Sequence, residues 1–546
     1  MPIVNPLPNP NTDASADGSL PSIRTDHAQS FYTLCSNCQG QGKRVLAPTK
    51  KARWKHKRAR MQQEQDSATA TTEKAVPPKS QLQSHCMPPP RVQGCTTCQG
   101  SGLVKSAADT PVNHSLPTVA IVGGGLAGLA LAAACRHRGI PHAVYERDSH
   151  FQQRSQGYGL TMQQASKALG AFGIDTLPDG ITSTKHAVHK EDGTVVGEWG
   201  LRKWGRDTAK KQQPPRRQNV HVARQSLRYE LLQAATVARS STPDESNMYW
   251  NHRLLHMETV ADNNVRLSFQ VGSDITEKRA DFVVGADGIR SAVRQALIGD
   301  ESTPLRYLGC IVILGICQLT DAVRESSDLL DGETVFQTAD GTTRIYMMPY
   351  SATEYMWQLS FPMAEEEAAA LSQQGTQALK EQAIARCESW HVPVPQILRD
   401  TPVSLVSGYP VYDRALWTPD MLLQVETGCR RRVTLIGDAS HPMSPFKGQG
   451  ANQALLDALS LARSLYQSFA VNNDTVVEDV LGKFEEEMMT RSAVKVQASA
   501  EAAHFLHTDV AIQEGNKTRG AASKTPVPAA NGDEMKGNNN GYKNGV

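Results

Sequence analysis

No apolar run in this 546-residue chain reaches the length of a membrane span. The longest, Val119 to Cys135, is interrupted by Gly123, Gly124 and Gly125, whereas a spanning helix needs about 20 predominantly apolar residues. The N-terminus lacks the charged and apolar layout of a secretory signal, because Met1 to Arg24 is rich in Pro, Asn, Ser and Asp. Nor does one charge dominate. Lys plus Arg total 57 against 55 Asp plus Glu, a net charge of +2, which excludes a chain-wide field for nucleic acid or acidic partners and leaves room only for local patches. The cysteines lack the layout of a secreted disulfide framework. Five precede residue 100, and the rest stand singly at Cys135, Cys310, Cys317, Cys387 and Cys429. These absences predict an intracellular, cytoplasmic protein with no transmembrane segment.

Apolar residues are also scarce, at 39% of the chain, and the scarcity is uneven. Residues 1–30 and 513–546 are too poor in large apolar side chains to offset their own ordering entropy, so both are expected to be disordered. Residues 31–104 hold two cysteine pairs around a basic, Pro- and Gln-rich insert. From Leu116 onward, strand-like runs alternate with helical patterns, the mark of an α/β or α+β core. The polar, basic stretch 202–218 reads as a surface loop within it.

The strongest local signal begins at Thr118. The β-branched run TVAIV suits a buried parallel strand. Gly123, Gly125 and Gly128 follow in G-x-G-x-x-G spacing, then a small-residue helix from Leu129 to His137 that stops at Gly139. A second strand, His142 to Tyr145, ends on Glu146, 18 residues after the last glycine. Gly123 allows the tight turn, Gly125 the approach of a pyrophosphate, and Gly128 the close packing of helix on strand. The helix N-terminus faces the phosphate charge, and Glu146 accepts from ribose hydroxyls. A lone glycine motif is weak, but the ordered set of strand, glycines, helix, strand and acid predicts an adenine dinucleotide. The terminal acid disfavours a 2′-phosphate, leaving FAD or NAD.

Two later motifs favour FAD. DFVVGADGIRSAVR contains a strand ending at Gly285-Ala286-Asp287-Gly288, and VTLIGDASHPMSPFKGQGANQALLDA runs from a strand through Gly437-Asp438 into a Pro- and Gly-rich loop and a helix. Asp438 at a strand end suits a hydroxyl-bearing chain. The amides of Gly450, Ala451 and Asn452 open a helix, a good place for partial negative charge at one end of a flavin ring.

These three motifs, in this order and spacing, resemble the single-component flavoprotein monooxygenases of the aromatic hydroxylase type, including the tetracycline-inactivating and quinone-pathway hydroxylases. The resemblance covers about residues 116–500. It implies a Rossmann-like, glutathione-reductase-like α/β FAD-binding domain from 116–300 and 425–512, with an interleaved α+β substrate domain at 301–424. Its wall would include the runs Cys310 to Cys317, Arg344 to Met348 and Tyr355 to Phe361. The family further implies that Glu146 holds the adenosine ribose, with Arg147 close to the adenosine, and that Asp438 holds the ribityl chain. Asp287 and Gly288 would serve both FAD and a visiting NAD(P)H, and Arg224 would contact the flavin. The flavin loop would include Pro445, Gly448 and Gly450. In such enzymes NADPH reduces FAD, a flavin C4a-hydroperoxide forms with dioxygen, and one oxygen passes to an aromatic, phenolic or polycyclic small molecule. Because the cofactor carries that chemistry, no catalytic dyad is required. His441 is accordingly expected to pack in the flavin loop, since a general base needs a positioned partner. Epoxidation of an isoprenoid, or a non-catalytic flavin-binding adaptor, are the alternative readings.

Upstream, Cys35-Ser-Asn-Cys38-Gln-Gly-Gln-Gly and Cys95-Thr-Thr-Cys98-Gln-Gly-Ser-Gly are two C-x-x-C-x-G-x-G knuckles. Four thiolates complete a closed structural Zn²⁺ site, and the glycines permit the turns that aim the sulfurs at one ion. A redox thiol pair or unligated cysteines are the alternative, and the spacing leaves His85 and Cys86 as spares. The knuckles resemble the cysteine-rich repeats of DnaJ-type chaperones, with an unusually long insert. That insert carries a basic stretch at 43–60, open to nucleic acid, anionic lipid or an acidic protein, or simply a solvated arm. With a linker expected from Ser106 to Ser115, the module reads as a folding staple or a docking surface for a protein partner, dispensable for chemistry.

Overall fold

The computed structural model describes residues 30–69, 91–153, 158–163, 165–200, 219–236, 247–260, 264–299, 301–418, 421, 432–472 and 477–514. The basic loop expected at 202–218, most of both termini, and His85 and Cys86 lie outside them.

The apolar run after Thr118 forms the strand Val119–Val122, buried along its whole length. It is the middle of a five-stranded parallel sheet ordered Met248–Tyr249, His142–Tyr145, Val119–Val122, Phe282–Gly285 and Val433–Leu435. All five strands run the same way, so their C-terminal ends share one edge, where ligands of open α/β sheets bind. Helix Leu126–Arg136 packs behind that edge, and every one of its 11 residues is buried. Mostly small residues, with no β-branched ones, suit so enclosed a place, since the helix packs against both helix Arg224–Ala235 and helix Gly450–Tyr466. Burying Leu129 and Leu131 completely contributes roughly 1.5–3 kcal/mol each. The helix starts three residues earlier than the periodicity predicts, because Gly128 is carried inside it.

A second sheet has seven strands in the order Val195–Trp199, Lys185–Lys190, Thr334–Ala339, Arg344–Pro349, Glu354–Pro362, Leu305–Gln318 and Val406–Arg414. All three strand-like runs expected in the substrate wall lie in it. The sheet also takes in two strands from before residue 300, because Lys185–Lys190 pairs in parallel with Thr334–Ala339, so it reaches beyond 301–424. Alternation along the longest strand sorts its side chains. Ile311 and Ile313 face a core built with Trp357, Leu379, Ala383 and Ile397, whereas Cys310, Val312 and Leu314 face the opposite way, towards Val411 and Phe446.

The N-terminal module is two matched halves offset by 60 residues. Phe31–Leu34 pairs antiparallel with Leu103–Ser106, and Lys43–Leu46 with Arg91–Gly94. Helix Lys50–Thr69 springs from the second ladder. The expected linker after Ser106 is an ordered strap. Asp109 ion-pairs with Arg136 at 3.3 Å, both nearly buried, Thr110 donates to the Tyr32 carbonyl at 3.1 Å, and the Asn113 amide donates to the Gly139 carbonyl at 2.8 Å.

Candidate flavin site

The three motifs converge on the C-terminal edge of the parallel sheet. Gly123 has φ +110°, and a Cβ there would sit 2.5 Å from the Ala286 carbonyl oxygen and 2.9 Å from the Asp287 Cα, so the first and second motifs touch. At Gly128 a Cβ would lie 1.9 Å from the Gly123 carbonyl oxygen. Gly437, with φ +59°, would bring a Cβ within 3.0 Å of the Ala127 Cβ and 3.2 Å of the Ala454 Cβ, so the third motif rests on the first helix and on the helix it feeds. Gly125 differs from all of these. A Cβ there meets nothing within 4 Å, although the residue caps the buried helix. Its missing side chain leaves a cradle facing outward from a helix N-terminus, as a phosphate requires.

Glu146 ends its strand with a buried carboxylate. One oxygen accepts from the Gly124 amide at 2.6 Å and the other from the Asp148 amide at 3.0 Å. The acid therefore holds the glycine turn in shape and keeps lone pairs for a hydroxyl. Arg147 is exposed on the surface beside it. Asp287 is committed to its own chain: it accepts from the Ser291 hydroxyl at 2.5 Å and from the amides of Ala292 and Val293 at 2.7 and 3.3 Å. That carboxylate fixes the start of helix Ala292–Ile298, while the adjoining Gly288, with φ +84°, stands in open space. Burial raises the Asp287 pKa against those hydrogen bonds.

Asp438 lies at the end of the last parallel strand, and a Cβ on Gly450 would come within 3.6 Å of its Oδ1. Its side chain is solvent-accessible, yet burial pushes its pKa up, opposed by the charges of Arg224 and His441. Tyr409 behaves alike: it is 38% exposed, and burial raises its hydroxyl. Groups that water can touch and protein still surrounds line a recess. Arg224, at the start of its helix, donates to the Tyr158 hydroxyl and lies over the Tyr158 ring at 5.1 Å. Asp438, Arg224, Tyr158 and Tyr409 thus cluster there, close enough to feel one another's charge or dipole.

Helix Gly450–Tyr466 opens on that recess. Its first backbone bond runs from the Gln453 amide to the Gln449 carbonyl, so the amides of Gly450, Ala451 and Asn452 form its donor end. The Asn452 side chain is saturated. It donates to the Thr161 and Gly448 carbonyls at 2.9 Å each and accepts from the amides of Gln163 and Ala165 at 2.9 and 3.2 Å. Gly448, with φ +58°, ends the short turn Pro445–Lys447 before it.

Sequence reasoning missed the residues that hold this loop. Arg294, 1% exposed, donates to the carbonyls of Ala439 and Ser440 at 2.9 Å and to the Thr303 hydroxyl. Trp417 donates to the Ser440 hydroxyl at 3.0 Å. Arg228 donates to the Gly124 carbonyl at 2.9 Å and lies over Phe151. Asp457 accepts from His441, from the Gly437 amide at 2.9 Å and from Arg491 at 2.9 Å. The signal for Asp457 and Arg294 was a charge at an apolar-face position of a helix.

With this geometry in place, comparison with known proteins is decisive. Residues 117–404 and 417–499 match the FAD binding domain family. The chain belongs to that family. Among its relatives, an aurachin C monooxygenase/isomerase of Stigmatella aurantiaca is 27% identical over 64% of this chain and 80% of its own length. A 3-amino-4-hydroxybenzoate 2-monooxygenase of Streptomyces platensis is 29% identical over 73% of this chain and 90% of its own. The solved structure of 2,6-dihydroxypyridine-3-hydroxylase from Arthrobacter nicotinovorans superposes with a TM-score of 0.59 at 19% identity, covering 77% of this chain and all of that one. The fold is the FAD-binding fold of the flavin monooxygenases. The family match begins after the cysteine module.

The four knuckle cysteines, all buried, gather with their sulfurs within 4.8 Å of one another. Cys35 and Cys95 are 3.9 Å apart and Cys38 and Cys98 3.7 Å apart, Sγ to Sγ. Such separations are too long for disulfides and match the edge of about 3.8 Å of a tetrahedron with Zn–S bonds near 2.3 Å. The amides of Gly42 and Gly102 each donate to a sulfur at 3.2 Å.

Proposed function

We propose that this flavoprotein is an NAD(P)H-consuming monooxygenase that places one oxygen from O₂ on an aromatic, phenolic or polycyclic small molecule. The recess bounded by Asp438, Arg224, Tyr158 and Tyr409, at the donor end of helix Gly450–Tyr466, carries this reading.

Bound FAD supplies the redox step and the activation of dioxygen, which no side chain here can perform. The chain's own contributions are binding, orientation and exclusion of water. Gly125 and the N-terminus of helix Leu126–Arg136 would receive the pyrophosphate, Glu146 the ribose hydroxyls, and Asp438 the hydroxyls of the ribityl chain. Arg147, Asp287 and Gly288 lie along the same edge, with Gly288 offering open backbone to a visiting nicotinamide cofactor. The amides of Gly450, Ala451 and Asn452 would stabilise negative charge at the ring, free of reorganisation because Asn452 and Gly448 are fixed.

The substrate wall would adjoin this recess at Tyr158. Tyr158 packs against two apolar clusters, one of Ile316, Val335, Met348 and Met356, the other of Cys310, Val312, Leu314 and Val411. Tyrosine and methionine supply flat, polarizable contact for a planar molecule. That surface, rather than a cationic clamp, favours an uncharged ring. The four cysteines are proposed to hold one structural Zn²⁺, with no open position for substrate.

The test is a screen of phenolic and isoprenoid compounds for stimulated NADPH oxidation by the flavin-loaded protein, with mass spectrometry of the products. A gain of one oxygen on an aromatic ring is expected. An epoxide would redirect the reading to alkene oxidation, and reduced protein whose flavin spectrum passes to the oxidised form in oxygen without ever yielding an oxygenated product would argue against it.

A further inference from the structure

The cysteine module and the flavin domain meet at two arginines. Arg138 follows the C-terminal end of helix Leu126–Arg136 and is 2% exposed. It donates to the Ala134 carbonyl at 2.9 Å in its own helix and to the Gly40 carbonyl at 3.2 Å in the first knuckle. Arg463 lies in the last turn of helix Gly450–Tyr466 and donates to the Ser101 carbonyl at 3.0 Å in the second knuckle. Its guanidinium lies so near the first knuckle that a Cβ on Gly42 would sit 2.7 Å from Nη2. Gln41 reaches back to the Arg463 carbonyl at 3.5 Å and to Gln467 at 3.4 Å. Tyr32 packs edge-on against His137 with 5.7 Å between ring centres.

The charges do not balance within the protein. Among the described residues neither Arg138 nor Arg463 has a carboxylate partner, and the Nε of each is buried without an acceptor. The two cations also repel each other, a repulsion offset for Arg138 by Cys135, Tyr466 and Cys38 and for Arg463 by Cys38 and Cys98. Two like charges withdrawn from water need an anion between them. Four thiolates around one Zn²⁺ carry a surplus of two negative charges, the number that the two guanidiniums supply.

We propose that Arg138 and Arg463 are the counter-ions of the cysteine-bound Zn²⁺, so that the metal clamps the far ends of the two helices whose near ends open on the dinucleotide. This rests on zinc occupying the four cysteines. The helices are about 16 and 25 Å long, so the arginines are positioning residues, remote from the flavin. The module is thereby part of the flavin-binding unit, contrary to its reading as a dispensable appendage.

The experiment uses the full chain loaded with FAD. Zinc is measured by metal analysis and by competition with a chromophoric chelator, and flavin retention by absorbance after gel filtration. The Arg138→Met/Arg463→Met protein should lose zinc to the chelator at least tenfold more readily than wild type, with Arg138→Lys/Arg463→Lys recovering most of the difference. Stripping zinc from the wild-type protein with chelator should lower flavin retention and the thermal midpoint, and added Zn²⁺ should restore both. Wild-type zinc affinity in the double Met variant would overturn the counter-ion role. Zinc removal that leaves flavin retention and the midpoint unchanged would overturn the clamp. If the double Met variant does not fold, the stripping experiment still decides the clamp, and the folded single variants, each expected to show part of the loss, decide the counter-ions. A wild-type protein that takes up no zinc even when it is supplied would instead overturn the metal assignment itself.

Discussion

The Nε2 of His441 lies 2.7 Å from the Oδ2 of Asp457, and both side chains are wholly buried. Burial disfavours charge on each, yet the pairing prevails: His441 is raised above its ordinary value, and Asp457, aided by Arg491, is lowered. The same carboxylate accepts from the Gly437 amide. The ion pair therefore fixes the turn that carries Asp438.

A pH window follows. The raised His441 pKa gives stability that is complete below about 6.5 and is lost as pH climbs through the folded value. The lowered Asp457 pKa gives stability that is complete above about 3.9 and is lost as pH falls through the folded value. Thermal unfolding should place the pair's full contribution between about pH 4 and 6.5. Asp457→Asn should flatten this profile and cost about 3–5 kcal/mol; an unchanged alkaline limb in D457N would contradict the pairing.

The glycines separate folding from ligand binding. Gly128→Ala places a methyl against the Gly123 carbonyl and should cost about 3 kcal/mol, the upper end for overpacking. Gly125→Val points its added atoms into open space, so the apoprotein should melt within a degree or two of wild type while FAD occupancy falls. Calorimetry beside flavin absorbance distinguishes these outcomes, and full flavin retention in G125V would remove the phosphate from this cradle.

Asp438 is raised by burial and held down by Arg224. Its ionised form is the one that accepts two hydroxyls, so flavin retention should decline as pH falls towards and through its raised pKa. Arg224→Met should move that decline to higher pH, and Asp438→Ala should lower occupancy at every pH. Coincident release curves for wild type and R224M would show that the arginine does not govern the carboxyl.

Asn452→Leu leaves two carbonyls and two amides without their partner. A loss of about 2–3 kcal/mol is expected, since each stranded group costs about 1–3 kcal/mol and relaxation recovers part. Weaker flavin binding should accompany it, because the donor end of the helix loses its tie to strand Gly159–Met162. Denaturant titration and flavin release read the two effects separately.

Much of this site was legible because backbone geometry demanded particular residues. Strand, tight turn, cradle and close helix contact each require glycine or small side chains at set intervals, and Gly123, Gly125 and Gly128 supply them. The remainder depended on long-range meetings that leave no local pattern. Asp457 finds His441 sixteen residues away only because helix Gly450–Tyr466 folds back under its own loop. Arg228 reaches Gly124 across 104 residues. The two strands between Lys185 and Trp199 alternate no more clearly than a flavin-domain hairpin would, and only their parallel partner at Thr334–Ala339 reveals which sheet they join. The strap after Ser106 reads as polar linker because its order comes from Arg136 and Gly139, outside the segment.

The ladder between Lys43–Leu46 and Arg91–Gly94 has a consequence for engineering. It holds the two ends of the 47–90 insert side by side. Doubling such a loop adds only about 0.6 kcal/mol of closure entropy. A fluorescent protein or an affinity domain with neighbouring termini, spliced into that insert, should report on the enzyme while leaving its cofactor undisturbed.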